Sequence, residues 1–132
     1  MKEPNWLTEA QVLAFHSAQL AEHGGLEGVR DQAALESALG RPANQFAYGV
    51  ADLPALAAAY AHGLAKNHPF IDGNKRVAFV STLVFLGLNG LAVTLSEEEA
   101  VEAMLALAAS KLTLEGFAEV LRRHTRPARR RR

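Results

Sequence analysis

Apolar positions recur at helical spacing along most of the chain, and residues with capping chemistry separate the repeats. Thr8-Glu9-Ala10-Gln11 reads as a capping box, in which threonine and glutamine each satisfy an orphan N–H of a first turn. Val12, Phe15 and Gln19 with Leu13, Leu20 and Ala21 then keep helical spacing to about Glu22, and Gly24-Gly25 ends the helix. Gly28-Val29-Arg30 is a connection, and Asp31 caps a second helix with Ala34, Leu35, Ala38 and Leu39 on one face. Gly40 is expected to stop it. The stretch 41–49 is irregular in composition and is expected to be a loop that Phe46 and Tyr48 pin to the core.

Asp52-Leu53-Pro54 opens an alanine-rich helix over 54–66, with Leu56, Tyr60 and Leu64 among small residues that allow close packing. His62 on it is read as a structural hydrogen-bonding residue. A helix from about Asn74 to Asn89, ended by Gly90, is apolar nearly all round through Val77, Phe79, Val80, Leu83, Phe85 and Leu86. That pattern predicts the enclosed centre of a bundle. Ser96-Glu97-Glu98-Glu99 is a second capping box, for a helix running to about Ala109. Thr113 caps a last helix to about Arg123, with Phe117, Val120 and Leu121 inward. Apart from a short extended piece at Leu91-Ala92-Val93, no strand-like alternation competes. The expected fold is all-α, a compact bundle of about six helices around the 74–89 helix.

Composition narrows the setting. A chain of 132 residues, half of them hydrophobic, suits one domain with one core. Without cysteine, disulfides and thiolate metal sites are excluded. No signal-peptide pattern opens the chain, and the stretch from Val77 to Asn89 is too short to span a bilayer, so a cytoplasmic protein is expected. The net charge of zero conceals an asymmetry: seven of the fourteen cations lie from Arg122 onward, leaving an acidic body. The domain is therefore read as 1–121. The arginine-rich tail 122–132 is expected to be disordered, solvated more readily than bound to RNA or an acidic surface.

Lys75 and Arg76, two of the few cations in that body, fall in the chain's densest cluster of reactive groups: His68-Pro69-Phe70-Ile71-Asp72-Gly73-Asn74-Lys75-Arg76. Gly73-Asn74 lies where a loop becomes a helix, so the first N–H groups are unpartnered and sit at the positive end of the dipole. Glycine lets a phosphate approach the backbone, Asn74 offers an amide donor, and Lys75 and Arg76 add charge. Asp72 is a hard oxygen ligand of the kind Mg²⁺ accepts beside phosphates. His68 has an ordinary pKa near neutrality and is the natural general base for a hydroxyl. Singly, each residue has a plain structural use: a cap, a solvated first-turn cation. Together in one loop they point to phosphoryl or nucleotidyl transfer.

The nine residues resemble the signature of the Fic/Doc family, H-x-F-x-[D/E]-G-N-[G/K]-R. Lysine at 75, where AMP-transferring Fic enzymes carry a second glycine, is the mark of the Doc (death-on-curing) branch, the toxins of Phd–Doc type toxin–antitoxin pairs. Gly28-Val29-Arg30-Asp31 and Leu35-Glu36-Ser37-Ala38-Leu39-Gly40-Arg41-Pro42 are similar to the segment those toxins carry upstream, so the resemblance covers about residues 6–121. It implies His68 as the base, Asp72 as the Mg²⁺ ligand, and Gly73, Asn74 and Arg76 on nucleotide phosphates. Lys75 would fill the space left by the missing glycine. It implies transfer of the γ-phosphate of ATP to a protein hydroxyl, with elongation factor Tu as target and translation arrest as outcome. A Phd-like antitoxin would lay a C-terminal helix across a groove.

The sequence also departs from that branch. Doc toxins often carry alanine at position 73 and threonine after the arginine; here Gly73 is Fic-like and Val77 is apolar. An AMP transferase on the same scaffold, and a non-catalytic nucleotide- or partner-binding domain, are the competing readings. No inhibitory helix of the self-inhibited Fic type stands out, because Thr113-Leu114-Glu115-Gly116 has the wrong spacing. That favours regulation by a separate antitoxin.

Overall fold

The computed structural model describes residues 2–128. Six helices run α1 (Glu9–His23), α2 (Gln32–Ala47), α3 (Leu53–Asn67), α4 (Asn74–Leu88), α5 (Glu97–Ala108) and α6 (Leu114–Arg123). Two short strands, β1 (Leu91–Val93) and β2 (Thr125–Pro127), pair antiparallel with Leu91 opposite Pro127 and Val93 opposite Thr125. The N-caps are those the sequence predicts. Thr8 and Ser96 form complete capping boxes with Gln11 and Glu99, and Asp31, Asp52 and Thr113 each accept a first-turn N–H.

Two expectations are corrected. Helix α2 does not stop at Gly40 but runs through Pro42 to Ala47. Glycine and proline cost roughly 1 and 3 kcal/mol in a helix interior, yet tertiary packing overrides them here. Pro42 is buried, Ala38 lies against α3, and Phe46 meets the Trp6 ring edge-on at 5.8 Å. Phe46 thus does pin this segment to the core, whereas Tyr48 is 91% exposed and pins nothing. The tail is the second correction. Arg122 and Arg123 belong to α6, and Arg126 to β2, whose pairing with β1 fixes the chain through Pro127. Arg122 bonds Asp52, Glu115 and Glu119, so part of the basic excess is spent on the acidic body. Residues 129–132 lie outside the described residues.

Helix α4 is central, as expected, and buries Val77, Ala78, Ser81, Thr82, Phe85 and Leu86. It shares that place with α3, which touches α2, α4, α5 and α6 and is enclosed on nearly all sides. Alanine and glycine make this possible by letting neighbouring backbones come close. A Cβ added at Gly63 would lie 2.8 Å from the Cβ of Ala38 and 3.0 Å from its Cα. The aromatic core closes on α3 from the other side. Phe85 packs on Tyr60 at 5.0 Å and stacks on Trp6 at 5.9 Å, while the Tyr60 hydroxyl accepts the Leu7 N–H at 3.0 Å. Burial pushes the Tyr60 hydroxyl pKa up, and that hydrogen bond offsets part of the rise. His62 is the structural residue it was read to be. Its Nδ1 accepts from Arg41 at 3.2 Å, and burial, then the charges of Arg41 and Lys66, hold its pKa below the usual histidine value.

The packing at Gly63 is testable against Gly87, a helical glycine with open space around it. Gly87→Ala is expected to stabilise the fold by about 0.5–1 kcal/mol through helix propensity. Gly63→Ala carries the same propensity gain but is expected to lower stability by about 1–2 kcal/mol, because the methyl collides with α2. Urea unfolding midpoints of the two variants would separate the effects.

Candidate active site

The loop between α3 and α4 carries the reactive cluster, and its backbone is held from outside. Helix α3 ends at His68, whose φ of 48° and ψ of 58° place a non-glycine residue in the left-handed region. That conformation costs about 1–2 kcal/mol, and the buried Pro69 behind it prevents the helix from continuing. The α1–α2 connection then runs antiparallel to the loop, with Val29 bridged to Phe70. Arg30 and Asp31 both donate backbone N–H groups to the Pro69 carbonyl, at 2.7 and 3.1 Å, and the Gly28 carbonyl accepts from Ile71 at 3.1 Å. The Arg30 guanidinium donates to the His68 carbonyl at 2.6 Å and to the Asn67 carbonyl at 2.8 Å.

Further along, Asn74 closes the loop on itself. Its Oδ1 accepts the Phe70 N–H at 3.0 Å and its Nδ2 donates to the Phe70 carbonyl at 2.9 Å. The side chain is buried, so the expectation that this amide donates to a phosphate gives way to a clasp. The Asn74 backbone N–H still belongs to the first turn of α4. Gly73 precedes that turn with φ of 80° and ψ of 13°, and no side chain caps it. The helix end is therefore open to an anion.

Asp72 is exposed, and its carboxylate is oriented by two backbone donors, Gly73 at 2.9 Å on Oδ1 and Leu26 at 3.2 Å on Oδ2. A side chain at Gly25 would come within 2.8 Å of Oδ2, so glycine is needed where the α1–α2 connection passes over the carboxylate. His68, Lys75 and Arg76 are exposed, Lys75 and Arg76 on the uncapped first turn of α4. The loop thus brings together an exposed imidazole, a fixed carboxylate and a cationic helix end.

Two residues outside the motif complete the arrangement. His16 on α1 is buried, its Nε2 bonds the Asp72 carbonyl at 2.9 Å, and its ring stacks on Phe70 at 4.0 Å between centroids. Its place one helical turn after Val12, on the inward face, was the available sequence signal. Arg30 stood out only as part of the Gly28-Val29-Arg30-Asp31 resemblance, and its role was not legible because its partners lie 37 and 38 residues away. Beside the loop, a cavity of about 500 Å³ is lined by His16, Leu20, Gly25 and Phe70 among others. A groove of about 650 Å³ runs between α4 and α5, lined by Lys75, Arg76, Phe79, Leu83, Val101 and Leu105 among others.

A helical bundle with this loop at the head of a buried helix is the Fic-type arrangement, and the chain belongs to the Fic/Doc family: the family model described as Fic/DOC matches residues 6–86. Within it the relatives are Doc proteins. "Protein kinase doc" of Escherichia phage P1 is 34% identical over 118 residues, covering 89% of this chain and 93% of the relative. "Toxin Doc" of Mycolicibacterium smegmatis is 38% identical over 103 residues, covering 74% of this chain and 78% of the relative.

The clasp sets a clear expectation. Asn74→Ala leaves the Phe70 N–H and carbonyl unpartnered in a buried place, which should cost about 2–4 kcal/mol. Denaturant unfolding would measure it. Asn74→Asp keeps the acceptor for the Phe70 N–H but sets a carboxylate oxygen against the Phe70 carbonyl, so it should cost at least as much.

Proposed function

We propose that the chain is a Doc-like toxin that transfers the γ-phosphate of ATP to a hydroxyl of a protein, and so arrests translation. Elongation factor Tu is the target the resemblance implies. The observation that carries the reading is the open N-terminus of α4. It combines Gly73 in the left-handed region, no capping side chain, Asp72 fixed beside it and two exposed cations on its first turn. Such an end neutralises phosphate charge without reorganising, which is most of what phosphoryl transfer asks of a protein.

In this reading His68 takes the proton from the target hydroxyl as its oxygen bonds to the γ-phosphorus, and ADP leaves. The backbone N–H groups from Asn74 onward, with Lys75 and Arg76, hold the phosphates. Among the described residues no three His, Asp or Glu side chains converge to hold a metal by themselves. Asp72 alone fits Mg²⁺ in the mode that shares the ion with phosphate and water, and the ion would neutralise charge on the transferring group. Gly73 supports a second reading, AMP transfer on the same scaffold, because the Fic-like glycine admits close approach of an α-phosphate. Among the described residues no helix is long and apolar enough to cross a membrane.

The α4–α5 groove supports a Phd-like antitoxin as partner. Its lining is apolar at Phe79, Leu83 and the exposed Val101 and Leu105, and charged at Lys75, Arg76 and Glu97. An amphipathic helix with apolar residues on one face and an acid toward those cations fits it.

Incubating the protein and elongation factor Tu with ATP labelled at the α- or the γ-phosphate tests the reaction. Label from γ alone is expected. Label from α alone would replace the kinase reading with AMP transfer, and none from either, with ATP bound, would leave a binding domain. His68→Ala should slow transfer roughly 10²-fold or more. For the groove, Val101→Glu and Leu105→Glu together should weaken antitoxin binding about 100-fold. Transfer without antitoxin should stay within about twofold of wild type, as followed by titrating inhibition of transfer.

A further inference from the structure

The αL backbone of His68 is an expensive place for a catalytic side chain, and it needs something to hold it. The residue is exposed, so core packing does not fix its ring. Its carbonyl and that of Asn67 are the last at the C-terminus of α3, where a helix runs out of internal donors. Both are taken by one group. The Arg30 Nε donates to the His68 carbonyl at 2.6 Å and Nη2 to the Asn67 carbonyl at 2.8 Å. The Arg30 backbone N–H meanwhile donates to the next carbonyl, Pro69, at 2.7 Å. One residue therefore grips three consecutive carbonyls on either side of the turn that aims His68.

Among the described residues nothing else engages this guanidinium. Among the described residues no carboxylate lies within ion-pair distance of Arg30, and the side chain is exposed, so it adds little to the core. A planar fork matches two successive carbonyls as an ammonium or an amide does not. Its charge also complements the negative end of α3.

We propose that Arg30 is a positioning residue for transfer: it caps α3 and locks the left-handed turn at His68, so that the imidazole is held toward the α4 helix end. The proposal rests on His68 as the base. Arg30 touches neither nucleotide nor target; it acts through the backbone of the residue that does.

The test compares Arg30→Ala, Arg30→Gln, His68→Ala and wild type in the full chain, with ATP and elongation factor Tu. In Arg30→Ala the single-turnover transfer rate should fall roughly 10- to 100-fold, the penalty of a misplaced catalytic group. ATP affinity should stay within about twofold. Arg30→Gln, which keeps donors for one carbonyl, should fall between, and added guanidinium ion should restore part of the rate to Arg30→Ala and none to His68→Ala. The His68 ring resonance should shift or broaden in Arg30→Ala, a readout that does not depend on the reaction. A transfer rate in Arg30→Ala within twofold of wild type would overturn the proposal. So would an unchanged ring resonance, or a rate loss that guanidinium leaves untouched and that follows the fraction unfolded. If Arg30→Ala does not fold, Arg30→Gln is judged by the same measures. Wild-type transfer by His68→Ala would instead remove the base assignment, while the ring resonance would still report whether Arg30 holds that turn.

Discussion

The backbone polar groups of the loop between α3 and α4 cannot satisfy one another, and much of the molecule is arranged to satisfy them from elsewhere. A chain that leaves one helix and enters another over so few residues has no ladder to join. Here the Pro69 carbonyl receives two donors from the α1–α2 connection, Ile71 donates back to it, and Phe70 is served at both ends by Asn74. The Asp72 carbonyl goes to His16, and its carboxylate to Gly73 and Leu26. The partners come from His16 on α1, from the α1–α2 connection up to the α2 N-cap, and from Asn74 at the head of α4, so the loop is fixed only when these have docked on it. A rigid site is thereby a product of the whole fold rather than of the motif.

That docking depends in turn on small residues. Helix α3 can be touched on nearly every side because alanine and Gly63 keep its surface low, and the contact of Gly63 with Ala38 sets how close α2 lies. Since Asp31 caps α2 and also donates to Pro69, the distance between those helices is transmitted directly to the loop. The larger side chains, Tyr60, Phe85 and Trp6, fill the opposite side and anchor the N-terminal segment.

Much of this was legible in the sequence where the cause is local. Five N-caps could be placed because Thr8, Asp31, Asp52, Ser96 and Thr113 act on the residues just after them. The extended piece at 91–93 and the open end of α4 follow for the same reason. What failed was decided at a distance. Gly40 and Pro42 carry strong local signals to stop a helix, and packing against α3 overrides them. The arginine-rich end looked like a tail until β2 found a partner in β1 and Arg122 its acids in α6 and at Asp52, the cap of α3. Asn74 shows the subtler limit: the right residue in the right motif, with its amide turned to the loop rather than outward. The roles of Arg30 and His16 were not legible because their partners are defined only by the folded chain.

Lys75 and Arg76 stand on the first turn of α4 and also line the groove toward α5. One pair of charges thus belongs to two surfaces. An anion on the helix end and an acidic segment in the groove would each draw on that pair, and whichever arrives first leaves less for the other. By linkage the effect is reciprocal: the factor by which one weakens the other is the factor by which it is weakened. Occupancy of the two surfaces would then report on the ratio of their ligands, a competition set by ionic strength as well as by concentration.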